Sequence, residues 1–422
     1  MKILIITYYY PPCNSIASLR PYSWAKKWSE LNHDITVITR NWSSEDNNWD
    51  DFLNSSKTKE LSVQNSKNYK LIQLPYNKRK YLSNKYLRKI QTLKNILTGN
   101  FNIEYDAEQF RAPCENEIIE SKPDCIIVTS PPLNLIRLGY ELSQKHAIRF
   151  VADFRDYENF STLKIAPSNS IYRKIDIYIK NKYLTKWLSN TLTVSVASEE
   201  FAVYFDKKKI TKKAKEYTNG FEGNVFSDIN VNEEKDKFSI AILGTILPNQ
   251  DSSCFLNGFN LFLDENPNAK VKIDFIGGHA IEEVAKIWLE NITPSILNIT
   301  PRIDRALALT LGKKANALFY PGWEGYKGMY SGKIFDYLGL KRNILIAPND
   351  YNVIEQLVKK TNSGVMVGTP IEVKEQLTKW YRSWEINGSL SYHGIENEIN
   401  KYTRENIAIS LLNKIVKPAA HI

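Results

Sequence analysis

Several things are scarce in this 422-residue chain, and each scarcity closes off a class of protein. No apolar run approaches the roughly 18 residues needed to cross a bilayer. Cysteine occurs only at Cys13, Cys114, Cys125 and Cys254, without C-x-x-C spacing and without partner histidines. The four therefore read as reduced, packed thiols, and neither a disulfide framework nor a metal site is expected. Low-complexity tracts and internal repeats are missing. Residues 1–7 hold a short apolar run, Ile3 to Ile6, that flows into Tyr8-Tyr9-Tyr10-Pro11-Pro12 with no small-residue cleavage site, so they read as a first strand and not as a signal peptide. With 43% hydrophobic and 24% charged residues, the chain is too apolar to be disordered. Its length suggests two domains of about 200 residues each.

Acidic residues are also missing from one long stretch. Between Leu61 and Ile103 there are nine bases (Lys67, Lys70, Lys78, Arg79, Lys80, Lys85, Arg88, Lys89 and Lys94) and no Asp or Glu. Residues 1–230 carry 34 Lys and Arg against 25 Asp and Glu, whereas the remainder carries 22 against 21, so the basic excess belongs to the first half. Within the acid-free stretch Leu82, Tyr86, Ile90, Leu93 and Leu97 recur at helical spacing. The segment from Lys78 to Leu97 is thus a basic amphipathic helix. It either lies on an anionic membrane surface or turns its apolar face to a core. A second basic run, Lys207-Lys208-Lys209 with Lys212, Lys213 and Lys215, reads as a solvated loop face. No nucleic-acid module is visible and the aromatic residues form no stacking platform, so nucleic acid is not expected as a partner.

What is present is a repeated strand–helix alternation. The first half offers strands at residues 2–8, 34–39, 69–74, 125–129, 150–153 and 191–196, with helices at 18–31 and 172–188. Ile/Val-rich strands of this kind are buried on both faces of a parallel sheet. After a break at residues 219–235 the pattern restarts. Strands are expected at 238–243, 271–276, 296–299, 315–321 and 343–348, and helices at 252–266, 281–291 and 304–314. The fold class is α/β, with two doubly wound Rossmann-like domains facing across a cleft. The first spans residues 1–225 and the second 226–422, with the last helix free to pack back on the first domain. In such sheets ligands bind at the carboxyl ends of the strands. Gly244, Thr245, Gly277 and Gly278 all stand at such ends.

The most informative stretch runs from Ala315 to Pro321, through Ser331-Gly332-Lys333-Ile334-Phe335-Asp336-Tyr337-Leu338-Gly339, to a further strand ending at Pro348. A helix opening on Ser-Gly-Lys presents free N–H groups and partial positive charge to a diphosphate. An acid one turn in, Asp336, reaches the hydroxyls of a ribose or a sugar. Ser331 also reads as a simple N-cap. Among the histidines, His33 and His146 read as structural and His279 as a neighbour of the nucleotide, none as catalytic.

Taken in order, these motifs resemble the family-4 type of GT-B glycosyltransferase found in bacterial polysaccharide assembly. Tyr9-Tyr10-Pro11-Pro12 with Ser18-Leu19-Arg20 is similar to the family's first loop, and the run from Leu31-Asn32-His33-Asp34 to Thr39 resembles its Leu-x-x-x-Gly-His-Glu-Val-Thr-Val stretch. Asp153-Phe154-Arg155-Asp156 resembles its Asp-Phe-Arg-Asp signature, Asn219-Gly220-Phe221 its interdomain Asn-Gly-Phe, and residues 332–338 its Lys-Leu-Phe-Glu-Tyr-Leu donor helix.

The resemblance implies retaining transfer of a sugar from a nucleoside-diphosphate sugar to a lipid-linked or oligosaccharide acceptor. It implies no obligatory metal and no cofactor beyond the nucleotide-sugar itself, at the cytoplasmic face of the membrane. It places the donor on Gly244, Thr245, Gly277, Arg302, Ser331, Gly332, Lys333 and Asp336. The catalytic group would be Asp153, Asp156 and Glu324, with Arg20 and Arg155 meeting the acceptor or a phosphate. For Asp153 two roles stay open: a carboxylate that orients or deprotonates the acceptor hydroxyl, or one arm of an Asp–Arg brace. The sequence departs from the family twice. Where the donor signature reads Glu-x7-Glu, the position eight before Asp336 is Gly328, and Glu324 stands four residues earlier. The loop after the strand at 238–243 carries no base, which leaves Lys333, Lys327, Arg302 or backbone N–H groups for the diphosphate. Two other readings use the same motifs: a non-hydrolysing nucleotide-sugar epimerase, and a non-catalytic scaffold for glycan or anionic membrane.

Overall fold

The computed structural model describes residues 1–13, 16–42, 60–66, 69–75, 84–101, 107–155, 171–227, 229, 231–247, 250–323 and 325–416. They form two compact units. One takes the chain to Asn219 and then from Arg404 onward, and the other holds Gly220–Thr403. No helix among the described residues is long and apolar enough to cross a membrane.

The first unit is built on an eight-stranded sheet: β1 (Lys2–Ile6), β2 (Asp34–Arg40), β3 (Ser62–Asn65), β4 (Lys70–Leu74), β5 (Cys125–Ser130), β6 (Arg149–Phe154), β7 (Thr191–Val196) and β8 (Ala214–Glu216). Their spatial order is β3-β4-β2-β1-β5-β6-β7-β8, parallel except for β3 against β4. The central strands β1 and β5 are buried along their Ile/Val runs, as a sheet covered on both faces requires. One face is closed by Trp24 and Trp28, stacked 5.7 Å apart on the helix Ile16–Glu30, against Leu411 and Ile415 of the helix Arg404–Val416. The Trp28 indole N–H donates to the Ala408 carbonyl at 2.8 Å. The chain's last described helix therefore completes the core of the unit that holds its first strand.

The second unit has a six-stranded, all-parallel sheet: β9 (Phe238–Leu243), β10 (Val271–Ile276), β11 (Leu297–Ile299), β12 (Ala317–Tyr320), β13 (Asn343–Ile346) and β14 (Gly364–Met366). The order β11-β10-β9-β12-β13-β14 is the doubly wound one, with its reversal between β9 and β12. The period of two along each strand feeds two separate cores. Phe238, Ile240, Ile242 and Phe319 enter one, and Ala241, Leu243, Leu318 and Tyr320 enter the other. In the first, Phe255 stacks on Phe319 with ring centroids 4.0 Å apart.

Most expected elements lie within a residue or two of their expected ends. Asp304, expected inside a helix, instead caps the helix Arg305–Lys314 by accepting the N–H groups of Ala306 and Leu307. The short polar strand β3 carries no apolar alternation and escaped the pattern. The lysines between 207 and 215 are all exposed, as a solvated face requires, although not all of them lie in a loop. Lys207 ends the helix Glu199–Lys207, Lys215 lies on β8, and Lys213 folds back to donate to the carbonyls of Ser189 and Thr191. All four cysteines are free and buried, and burial pushes the Cys125 thiol up to about 12.

Candidate functional site

The reversal point of the second unit is held open by a side chain. β9 and β12 pair only through Ile240 with Ala317 and Ala241 with Leu318. Beyond that register the fully buried Tyr337 hydroxyl accepts the Leu243 N–H at 2.9 Å and donates to the Phe319 carbonyl at 3.0 Å. One hydroxyl thus satisfies both strand groups where the ladder stops, so the carboxyl ends of β9 and β12 diverge without an orphaned donor or acceptor. Gln250 ties the loops that follow them, donating to the Pro321 carbonyl at 3.0 Å and accepting the Leu247 N–H.

Around this point several expected residues converge. Gly244 follows β9 with φ +71° and Gly277 follows β10 with φ +88°, both in the left-handed region that favours glycine. A Cβ on Gly277 would lie 3.4 Å from the Gly244 Cα, so the two backbones are neighbours. A Cβ on Gly244 would meet the Lys333 Cε at 3.9 Å. Lys333 donates from Nζ to the Thr245 carbonyl at 2.9 Å. No carboxylate among the described residues pairs with that ammonium, and burial alone pushes it down to about 7.

Ser331 occupies the N-cap position of the helix Gly332–Leu340, but its hydroxyl does not cap. It turns instead to the Tyr320 hydroxyl at 3.1 Å. Among the described residues no side chain caps the start of this helix, and the Ile334 N–H donates to the Ser331 carbonyl. Asp336, one turn on, accepts from Arg305 at 2.7 Å across a partly exposed pair. Arg302 is exposed between β11 and the helix Arg305–Lys314, and Lys327 is exposed as well. Among the described residues nothing pairs with Arg302, and no cluster of His, Cys, Asp or Glu is placed to hold a metal ion. Glu324 and Asp156 lie outside the described residues.

In the first unit Arg20 and Asp153 need correction. Arg20 is 2% exposed and Asp153 0%. The guanidinium sends Nε and Nη2 to Asp153 Oδ1 at 3.1 and 2.6 Å, Nη2 also to Ser195 Oγ, and Nη1 to the carbonyls of Tyr217 and Thr218. All five of its donors are engaged, so none is left for a phosphate. The pair is the brace that formed the second option for Asp153: it ties the helix Ile16–Glu30 to β6, β7 and the chain after β8. Arg155 stands just past β6, half-buried, its N–H donating to the Ser130 carbonyl at 3.3 Å.

Two residues of this geometry escaped sequence reasoning. Tyr337 reads as one more apolar position of a helix, although a buried phenol demands partners and is a usable signal. Arg305 lies 31 residues from its partner in the chain, and nothing in the local pattern links it to Asp336.

No protein-family model and no curated protein sequence matches the chain. Solved structures do. Sucrose-phosphate synthase from Thermosynechococcus elongatus aligns over 98% of both chains with a TM-score of 0.62 at 12% identity. The fold is GT-B. Anabaena HepE in complex with UDP aligns over 98% of this chain and 99% of its own, with a TM-score of 0.61 at 11% identity. The same GT-B architecture extends to the UDP-GlcNAc 2-epimerase of Methanocaldococcus jannaschii, which aligns over 98% and 99% with a TM-score of 0.52 at 13% identity.

Proposed function

We propose that the chain is a retaining glycosyltransferase that moves a sugar from a nucleoside-diphosphate sugar to a lipid-linked or oligosaccharide acceptor in surface-glycan synthesis at the cytoplasmic face of a membrane. The observation that carries the reading is the convergence, at the second unit's reversal point, of Gly244, Gly277, the start of the helix Gly332–Leu340 that Ser331 does not cap, and Lys333, which pairs with no carboxylate among the described residues. Glycine backbones let a pyrophosphate approach closely, and helix N–H groups and an ammonium offset its charge. As the bond to the anomeric carbon breaks, negative charge grows on the leaving diphosphate. Donors already aimed there favour the transition state over the ground state. Asp336 lies within the same helix to receive ribose hydroxyls once Arg305 yields it. The reading assigns the diphosphate charge to Lys333 and the backbone, so turnover should persist in a chelator. It leaves Arg20 and Asp153 as a structural brace and Arg155 as the first unit's group for the acceptor.

The likeness to HepE bound to UDP supports a nucleotide donor. The likeness to an epimerase supports a second reading, in which the same donor site serves sugar inversion without an acceptor. One experiment separates them. The protein is incubated with a panel of nucleotide-sugars, with and without a membrane lipid extract. Nucleoside-diphosphate release and the identity of the remaining nucleotide-sugar are both followed. Acceptor-dependent release from one donor is the expected result. A changed sugar on an intact nucleotide would establish the epimerase, and a panel that neither binds nor turns over would remove the donor site.

A further inference from the structure

Two helices of the first unit carry their apolar stripes on the outside. In the helix Lys85–Leu97 the residues Tyr86, Ile90, Leu93 and Leu97, spaced as one helical face, are 58–76% exposed. The less exposed positions of this helix include the polar Gln91 and Asn95. Its amphipathicity is thus the reverse of a core-facing helix. The helix Ile171–Leu188 buries Leu184, Trp187 and Leu188 near its end, but toward its start it too exposes an apolar face: Ile171, Ile175 and Tyr178 are 51–72% exposed. The two helices are fastened together. Tyr183 donates from its hydroxyl to the Leu97 carbonyl at 2.6 Å, and a Cβ on Gly99 would meet the Tyr183 ring at 2.7 Å, so the turn after Leu97 sits directly on that ring.

The charge on these helices selects what covers them. The first contains four bases and no acid, the second five bases and one acid, Asp176, which Lys180 neutralises at 3.0 Å. Lys94, Lys174, Lys182 and Lys186 are exposed. An isologous contact with a second copy would set these bases against one another, whereas an anionic lipid surface complements them and takes up the apolar side chains between its headgroups. We propose that these helices together form a docking surface for an anionic bilayer, with Ile175 and Tyr178 sharing the insertion made by Ile90 and Leu93. This extends the membrane contact anticipated for the segment from Lys78 to Leu97, of which residues 78–83 lie outside the described residues, to a second helix that the sequence reading did not connect with a membrane. It stands on surface chemistry alone and does not depend on the donor site.

Co-sedimentation of the full chain with vesicles of phosphatidylglycerol and phosphatidylethanolamine, against vesicles of phosphatidylcholine, tests it without donor or acceptor. Binding to the anionic vesicles only, weakening with salt, is expected. Ile90→Glu with Leu93→Glu should lower binding by at least about tenfold, and so should Ile175→Glu with Tyr178→Glu, because each loses buried apolar area and adds repulsion. All four positions are exposed, so circular dichroism should be unchanged. Equal binding to both vesicle types, or undiminished binding of the Ile175/Tyr178 variant, overturns the proposal. A parent dimer that these variants disperse, with no vesicle binding, overturns it in favour of a second copy of the chain.

Discussion

Lys333 offers the most quantitative check of the donor site. Burial, with no carboxylate partner among the described residues, lowers its ammonium from the ordinary 10.5 to about 7. At pH 8.5 only about 3% of the free protein carries the charge, by the usual titration relation. A diphosphate arriving against Nζ favours the charged form and raises the pKa, so binding at that pH takes up close to one proton. By linkage, affinity is fullest below pH 7. It falls by about tenfold per pH unit as the pH rises above 7, until the bound-state pKa is reached. The assay is titration calorimetry with a nucleotide-sugar, whose diphosphate has no group titrating near neutrality. Measurements in two buffers of different ionisation enthalpy count the protons directly. Lys333→Met should bind with roughly 10–100-fold lower affinity at pH 6.5, the scale of one charge-assisted contact, and its affinity should be flat with pH. A parent with pH-independent affinity between 6.5 and 9, or a Met variant with the same slope, would refute the reasoning. Without ligand the same shift acts on folding. Between pH 7 and 10.5 the unfolded chain keeps a proton that the folded chain has released, so this residue's contribution to stability rises with pH across that window.

Other substitutions address the frame around it. Tyr337→Phe leaves the Leu243 N–H and the Phe319 carbonyl without their partner, and should destabilise the second unit by about 1–3 kcal/mol and speed hydrogen exchange at Leu243; unchanged exchange there would count against the wedge. Gly277→Ala forces a side chain into the left-handed region at a cost of about 1–2 kcal/mol and sets a methyl against Gly244, so donor binding should weaken more than urea stability does. Arg20→Ala strands the buried Asp153 carboxylate and should cost about 3–5 kcal/mol of first-unit stability while leaving nucleotide binding to the second unit unaltered; a stable variant that lost only phosphate affinity would reinstate Arg20 as a ligand contact. Arg305→Ala breaks a partly exposed pair and should change stability by less than about 1 kcal/mol. It should nonetheless shift KM for the donor by releasing Asp336, and an unmoved KM would sever the link.

The loops at the second unit's strand ends, where the donor is proposed to bind, were legible as loops in the sequence because their causes are local. Gly244 and Gly277 mark strand ends that need positive φ, and the Ser331-Gly332-Lys333 start announces a helix entered from a loop. The first unit was harder to read. Arg20 beside an apolar helix looked like a phosphate contact, yet its partners Asp153, Ser195, Tyr217 and Thr218 lie from 133 to 198 residues away along the chain. The Lys85–Leu97 periodicity was visible, but a period does not say which way a face points. Only packing against Tyr183 decided that the apolar stripe turns outward.

The sequence by itself determined what short-range physics determines: alternating buried strands and amphipathic helices, the break between two α/β units, reduced packed cysteines, and the glycines of positive φ at the ends of β9 and β10. Tertiary structure alone decided which polar groups are spent and which stay available. Whether an arginine braces a core or waits for a phosphate, and whether a lysine keeps its proton, depends on desolvation and on partners brought together from distant parts of the chain. Those are properties of the packed volume around a side chain, and no local spacing encodes them.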